Sequence, residues 1–316
     1  MQTWGVVSTI KAPAASILRW AAWHLEAGAH RVTVYLDDAN PAAQAALRDH
    51  PKCRVRRCDD GYWQRQHGKR PDAHQSRQTF NATHAYARAD DVDWLVHLDA
   101  DEFLVSDQPV ASYLSDLPAD VLSARTRPME LLAGSDVARD AAFKMFIPAG
   151  KQRERIVASL YPEFGAHLKG GFLSHIAGKV FCRTGLGPVK FRIHNVFLGE
   201  EMNPGHVEID DLHLAHFHAP DWDSWRAQYD YRFSRGAYRA DLGPARPRDR
   251  GGITVHELFS IIVEDSGEDG LRRFFDEVCT DSEDLRARLA AHGLLLTTRI
   301  DFDTVLAKHF PDSAKI

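Results

Sequence analysis

Three carboxylates fall within four positions of the stretch DWLVHLDADEFLV (Asp93 to Val105): Asp99, Asp101 and Glu102. Acids so crowded repel one another unless a cation lies among them. Mg²⁺ or Mn²⁺ suits that place, because these hard ions take oxygen from one or two carboxylates and leave positions for a substrate diphosphate. The flanking residues say where the cluster sits. Trp94, Leu95, Val96 and Leu98 form a short apolar run, broken once by His97, and apolarity resumes at Phe103-Leu104-Val105. Such a run reads as a strand buried on both faces of a helix-covered parallel sheet. The carboxyl edge of that kind of sheet is where open α/β proteins bind ligands. A pair of Asp residues there also begins an ordinary turn, and spacing by itself admits both roles.

A second group is LHLAHFHAP, Leu212 to Pro220. Strand alternation puts His216 and His218 on one face with Leu212 and Leu214, and His213 on the other. Three histidines within six residues admit a zinc hydrolase built on His213, His216 and His218, although zinc ligands are usually drawn from more separated positions with a fixed outer shell.

The elements that would carry these residues alternate. Trp4 to Ile10 reads as a strand, Ala14 to Ala27 as a helix stopped by Gly28, and Arg31 to Leu36 as a strand closing on Asp37-Asp38. Pro41 to Asp49 reads as a helix and Cys53 to Cys58 as a strand. Asp59 to Asp72 follows as a polar loop with Tyr62, Trp63 and the cations Arg65, His67, Lys69 and Arg70. A helix spans Ala73 to Ala89, then come the acidic strand, a helix over Pro109 to Leu117 and a strand over Val121 to Thr126. Met129 to Asp140 leaves the pattern toward the acceptor side, and Phe143 to Gly187 is the least legible part. Lys190 to Val196 reads as a strand carrying His194-Asn195 and Asp221 to Gly236 as a helix, before an Arg-, Pro- and Gly-rich linker to Gly252. Thr254 to Val263, Glu268 to Cys279 and Ser282 to His292 read as amphipathic helices.

At HLDADEFLV the chain resembles the FLDxDEF signature of bacterial family 2-like glycosyltransferases, close to the DUF23/family 92 branch, with the likeness running from about Thr9 to Tyr238. The resemblance implies a GT-A fold, a nucleotide-diphosphate sugar and a divalent metal. The expected fold is therefore α/β, a GT-A-like, Rossmann-type mixed sheet flanked by helices, with a C-terminal helical extension. Residues 1–236 would be the catalytic domain, and 237–316 a linker and helical appendage. The family's first loop usually reads KNE; this chain keeps Lys11 but has Ala12-Pro13 in place of Asn-Glu, and it retains Trp20-Ala21-Ala22-Trp23-His24. Asp37 and Asp38 correspond to the family's YDNDS, whose acidic group faces the nucleoside. Gln78 and Asn81 match a Gln and an Asn three apart that the family presents to the donor, and Lys179 lies in its GK segment near the sugar. His216, then His218, stand in the family's HYH, where GT-A enzymes often draw a late metal ligand.

In that scheme Asp101 is the direct ligand of Mn²⁺ or Mg²⁺. Asp99 holds the ribose, or the metal through water, and Lys11, Lys179 or Arg235 neutralises remaining charge. An inverting hexosyltransferase also needs a carboxylate base within reach of the acceptor hydroxyl. Glu102, Glu130, Glu163, Glu201 and Asp210 are candidates, the first two being the catalytic expectation beside Asp101, while the family's late acidic pair has no counterpart before Leu186. The resemblance gives a UDP-hexose donor and a saccharide or glycolipid acceptor as defaults.

Composition bounds the alternatives. The 316 residues are 44% apolar and 26% charged, enough for a sizeable core, and the formal charge of −5 argues against general nucleic-acid binding. Cys53, Cys58, Cys182 and Cys279 show no CxxC spacing and read as reduced, which suits the cytoplasm. No apolar leader or 18-residue apolar stretch is visible, so a cytoplasmic protein is expected, with peripheral contact at the inner membrane and self-association through the C-terminal helices open. Nucleotidyl transfer would want a Gly-rich basic loop after the first strand, which Thr9 to Ala15 does not supply. A non-catalytic sugar- or nucleotide-binding protein of the same fold stays open through the altered Lys11-Ala12-Pro13 loop.

Overall fold

The computed structural model describes residues 1–312. In chain order the elements are β1 (Trp4–Ile10), α1 (Ala14–Glu26), β2 (Arg31–Leu36), α2 (Pro41–Asp49), β3 (Cys53–Arg57), α3 (Asp60–His67), α4 (His74–Tyr86), β4 (Trp94–His97), β5 (Glu102–Val105) and α5 (Val110–Ser115). They continue with β6 (Ser123–Leu131), α6 (Val137–Asp140), β7 (Ala141–Met145), α7 (Arg153–Leu160), β8 (Lys179–Arg183), β9 (Val189–Phe191), β10 (Val196–Leu198) and β11 (Glu201–Met202). The last are β12 (His206–His216), α8 (Trp222–Arg235), α9 (Val255–Val278), α10 (Glu283–Ala291), β13 (Leu295–Thr298) and α11 (Phe302–His309). The chain packs as two units: Met1–Arg127 with Ala177–Leu214 and the stretch from Asp301, and Pro128–Ile176 with Ala215–Ile300.

In the first unit β3, β2, β1 and β4 lie side by side and parallel, and β8 then runs antiparallel to both β4 and β6. The result is the helix-flanked mixed sheet of an α/β, GT-A-like fold. Every residue of β1 is buried, as the apolar run WGVVSTI requires of a central strand. The chain builds outward from β1 to β3, then returns to lay β4 on the other side of β1. That reversal makes a switch point at the carboxyl ends of β1 and β4, the place where open α/β sheets bind ligands. Over one face, α4 packs on β1 and covers a core of Tyr35, Tyr62, Trp63, Leu95 and Phe191. Helix α11 packs on α1 through Phe302, whose ring centroid lies 4.7 Å from Phe103 and 5.4 Å from Trp23, while Lys308 and His309 pair with Glu26.

In the second unit β7 pairs antiparallel with the end of β6 and with β13. Helices α7 to α10 bury Tyr161, Trp225, Phe259, Phe274 and Leu285. Helix α9 opens with a capping box between Thr254 and Glu257 and breaks at Gly267, which adopts φ +57°. It is thus two helical segments, close to the spans expected from periodicity.

The structure departs from the sequence pattern in four places. Asp59 to Asp72 is not a loop throughout: α3 occupies Asp60–His67 behind an Asp59 N-cap, and Tyr62 and Trp63 are core residues. The stretch Lys190 to Val196 is two strands, β9 and β10, with His194-Asn195 in the turn between them. The strand expected to end at Thr126 runs to Leu131. Neither β13 nor α11 stands out from the helical pattern at the C-terminal side.

Candidate functional site

The acidic cluster begins where β4 ends. Leu98 N still donates to Val7 O on β1, and then the chain turns. Asp99 N donates to Glu102 Oε2 at 2.7 Å, and Glu102 N returns a bond to Asp99 O at 3.2 Å, so the turn is closed from both sides. Into it comes Lys179, the first residue of β8. Its Nζ lies 2.7 Å from Asp99 Oδ2 and 3.2 Å from Glu102 Oε2. Gln78, one turn into α4, donates to Asp99 Oδ1. Lys179 can reach there because Gly178, at φ +67°, lies so close to β6 that a Cβ would stand 2.0 Å from Thr126 O. The Arg125 guanidinium, bonded to Ala177 O and to His194 O at 2.9 Å, fixes both neighbouring segments.

The electrostatics follow. Lys179 and Glu102 are fully buried. Burial alone would strip the Lys179 charge, but Asp99 and Glu102 outweigh it and raise its pKa. Burial likewise opposes ionisation of Asp99, and Lys179 reverses that, holding the carboxyl well below the usual range. Asp101, by contrast, is only half-buried. Beside the cluster, burial pushes His97 down to about 3 and His194 down to about 4, so both rings are neutral at pH 7. His194 Nδ1 bonds Gly178 O, whereas neither ring nitrogen of His97, 3% exposed, has a hydrogen-bond partner among the described residues.

At the end of β2 the two acids differ. The Asp37 carboxylate is buried and taken by Arg70 Nη2 at 2.9 Å and Arg77 Nε at 2.8 Å, with His74 Nδ1 at 3.6 Å. Burial would raise its pKa, but these partners outweigh it and lower it. It therefore ties residues 70–77 to the sheet. Asp38 is half-buried, and its Oδ1 is shielded from solvent with no partner among the described residues. Gln78 reaches the cluster; Asn81 does not, being fully buried with its amide on Thr9 Oγ1 and its oxygen accepting from Tyr62 OH. Lys11, just past β1, is exposed.

The remaining candidates belong to the second unit or to the surface. Glu130 is 3% exposed, accepts from Leu173 N and Ser174 N, and lies 3.1 Å from Lys144 Nζ. Burial would raise its pKa, yet Lys144 and Ser174 bring it below the usual value. His216 Nδ1 contacts Ser174 Oγ at 3.2 Å. His218 is buried, its Nε2 2.8 Å from Tyr238 OH, and burial drives its pKa well down. Glu163 pairs with Arg273, and Glu201, Asp210 and Arg235 are exposed. The His216 and His218 ring centroids lie 5.2 Å apart, but among the described residues no three His, Cys, Asp or Glu side chains are placed to hold a metal ion. The four cysteines are buried and free.

Sequence pattern does not single out Lys144, Arg77 or a role for His97. Lys144 is marked in principle by its place in the apolar run AAFKM, where a lone cation implies a buried acid.

No protein-family model matches the chain, and no curated protein matches it. Solved structures similar to it include HddC from Yersinia pseudotuberculosis, at 11% identity and TM-score 0.39 over 73% of this chain and all of that one. The galactosyltransferase LgtC, in complex with donor and acceptor sugar analogs, gives 16% identity and TM-score 0.30 over 57% of each chain. GalNAc-T7 with UDP, GalNAc and Mn²⁺ gives 10% identity and TM-score 0.40 over 98% of this chain and 58% of that one. The chain thus spans little more than half the length of the last two. All three TM-scores lie below 0.5, so what the site can do is read from its own residues. No helix among the described residues is long and apolar enough to cross a membrane.

Proposed function

We propose that this protein is a glycosyltransferase that moves a sugar from a nucleotide-diphosphate donor, UDP-hexose by the family resemblance, to a saccharide or glycolipid acceptor. One observation carries the reading: the Asp99–Glu102 turn follows the carboxyl end of β4, beside β1, where the strand order reverses and open α/β sheets take their ligands. The cluster divides the labour. Lys179, Gln78 and Glu102 fix Asp99, and Asp101 lies at the half-buried rim.

Mg²⁺ and Mn²⁺ bind through as few as one protein carboxylate with substrate phosphates completing the shell, and Asp101 fits that role. Asp99, committed to Lys179, would shape the turn rather than ligate. A divalent ion held there would offset the charge that develops on the leaving diphosphate. Asp38, whose shielded oxygen has no donor among the described residues, would accept a hydrogen bond from the nucleoside. Lys11, exposed past β1, would add a cation. The base remains a role for a carboxylate near the acceptor; Glu102 and Glu130 are both held in ion pairs with their charge stabilised. That commitment favours a second reading, a nucleotide-sugar-binding protein without turnover.

A thermal-shift panel of UDP, GDP, CDP and dTDP, with and without Mn²⁺, tests the reading, because a ligand of the native state raises the melting point by mass action. Stabilisation by one diphosphate that needs the metal is expected. No response to any of the eight conditions would refute it. Transfer from the matching nucleotide sugar then separates enzyme from binding protein.

A further inference from the structure

The second unit contains a cavity that none of the roles above uses. It has a volume of about 220 Å³, with Val157 and Leu168 among its apolar lining residues and small residues around them. Its charged lining is Arg153, Lys169 and Arg246 against Glu154, three cations less one anion, a formal +2. Glu154 pairs with Arg246 at 3.7 Å, and the formal +2 already counts it. Arg153 is held in place by the carbonyls of Ile147 and Pro148. Gly170, at φ +65°, lines the wall with bare backbone. Helix α7 starts at Arg153 without a side-chain cap, so its positive end adds to the same field.

Ligand pockets for drug-sized molecules run to about 300–1,000 Å³, so this one takes a single group. A phosphate monoester carries roughly −1.5 to −2 at pH 7, which matches the lining charge. A carboxylate would leave one cation uncompensated, and a neutral hydroxyl would leave both.

We propose that this cavity binds the phosphate group of a small phosphate monoester, for which glucose 6-phosphate is the probe. The assignment stands apart from the transfer reading above.

The test is calorimetric titration of the full chain with glucose 6-phosphate, inorganic phosphate and glucose, and separately with UDP and Mn²⁺. Wild type is compared with the double variant Lys169→Gln/Arg246→Gln. The expected result is that glucose 6-phosphate binds more tightly than phosphate, that glucose does not bind, and that the double variant weakens the sugar phosphate by at least about tenfold. UDP binding should be equal in both proteins. If neither phosphate probe binds a chain that binds UDP, the cavity assignment is overturned and sugar transfer stands. Undiminished binding by the double variant also overturns it, because the anion then sits elsewhere. Equal affinity for phosphate and glucose 6-phosphate overturns the monoester, because the cavity then takes the free anion alone. Binding of glucose 6-phosphate without any response to UDP supports the cavity and removes the transfer reading.

Discussion

The Lys179 ammonium stands 2.7 Å from Asp99 and 3.2 Å from Glu102, so one buried cation serves two of the three acids in the turn. Removing that cation leaves two carboxylates facing each other without compensation. Lys179→Met should therefore cost about 3–5 kcal/mol of stability, the usual effect of breaking a buried ion pair from one side. Chemical denaturation measures it; a loss under ~1 kcal/mol would show that solvent already screens the cluster.

Asp101→Asn should behave in the opposite way. The residue is half-buried, not part of the sealed core, so the melting point without ligand should fall by no more than a few degrees, about the effect of an ordinary single substitution. The stabilisation by a nucleoside diphosphate with Mn²⁺ should vanish, and chelation of the metal should do the same to wild type. Turnover at more than about a tenth of the wild-type rate would remove Asp101 from the metal.

Glu130 separates a base from a brace. As the partner of Lys144 and two backbone amides, its change to Gln should destabilise, and Lys144→Met should do likewise. Together they should cost less than the sum, with a coupling of about 0.5–3 kcal/mol in a double-mutant cycle. A stable Glu130→Gln protein with no turnover would instead point to the chemical step.

His97 predicts a pH dependence. Burial lowers its pKa to about 3, so between about 6.5 and 3 the unfolded chain binds a proton that the folded one does not. Stability from this group is present above about pH 6.5 and falls as the pH drops. His97→Phe, which restores the FLDxDEF pattern, should narrow the stability gap between pH 8 and pH 5 by about 2 kcal/mol. An unchanged gap would mean that the imidazole is protonated within the fold.

The acidic turn is legible in the sequence because a buried apolar strand that breaks abruptly into three acids must place them together at one sheet edge. Its cationic partner is not legible in the same way. Lys179 lies 80 residues away, and what brings it to Asp99 is the antiparallel register of β4 and β8, which sets Val96 opposite Phe181. Local pattern carries no register between strands so far apart. Helix α3 escapes the pattern because eight residues give barely two turns of periodicity, and its Tyr62 and Trp63 sit among charges. His216 at the end of β12 and His218 just beyond it are legible as a buried pair, and that burial is what commits His218 to Tyr238.

Helix α11 belongs to the same unit as β1, although nearly 300 residues separate them in the chain. During synthesis at roughly 5–20 residues per second, α1 emerges before α11 with the flank around Trp23 uncovered. Phe302 arrives to cover it only after the whole stretch between them has been made. The first unit therefore cannot finish folding before the segments of the second have been made, and it depends for that interval on whatever shields α1.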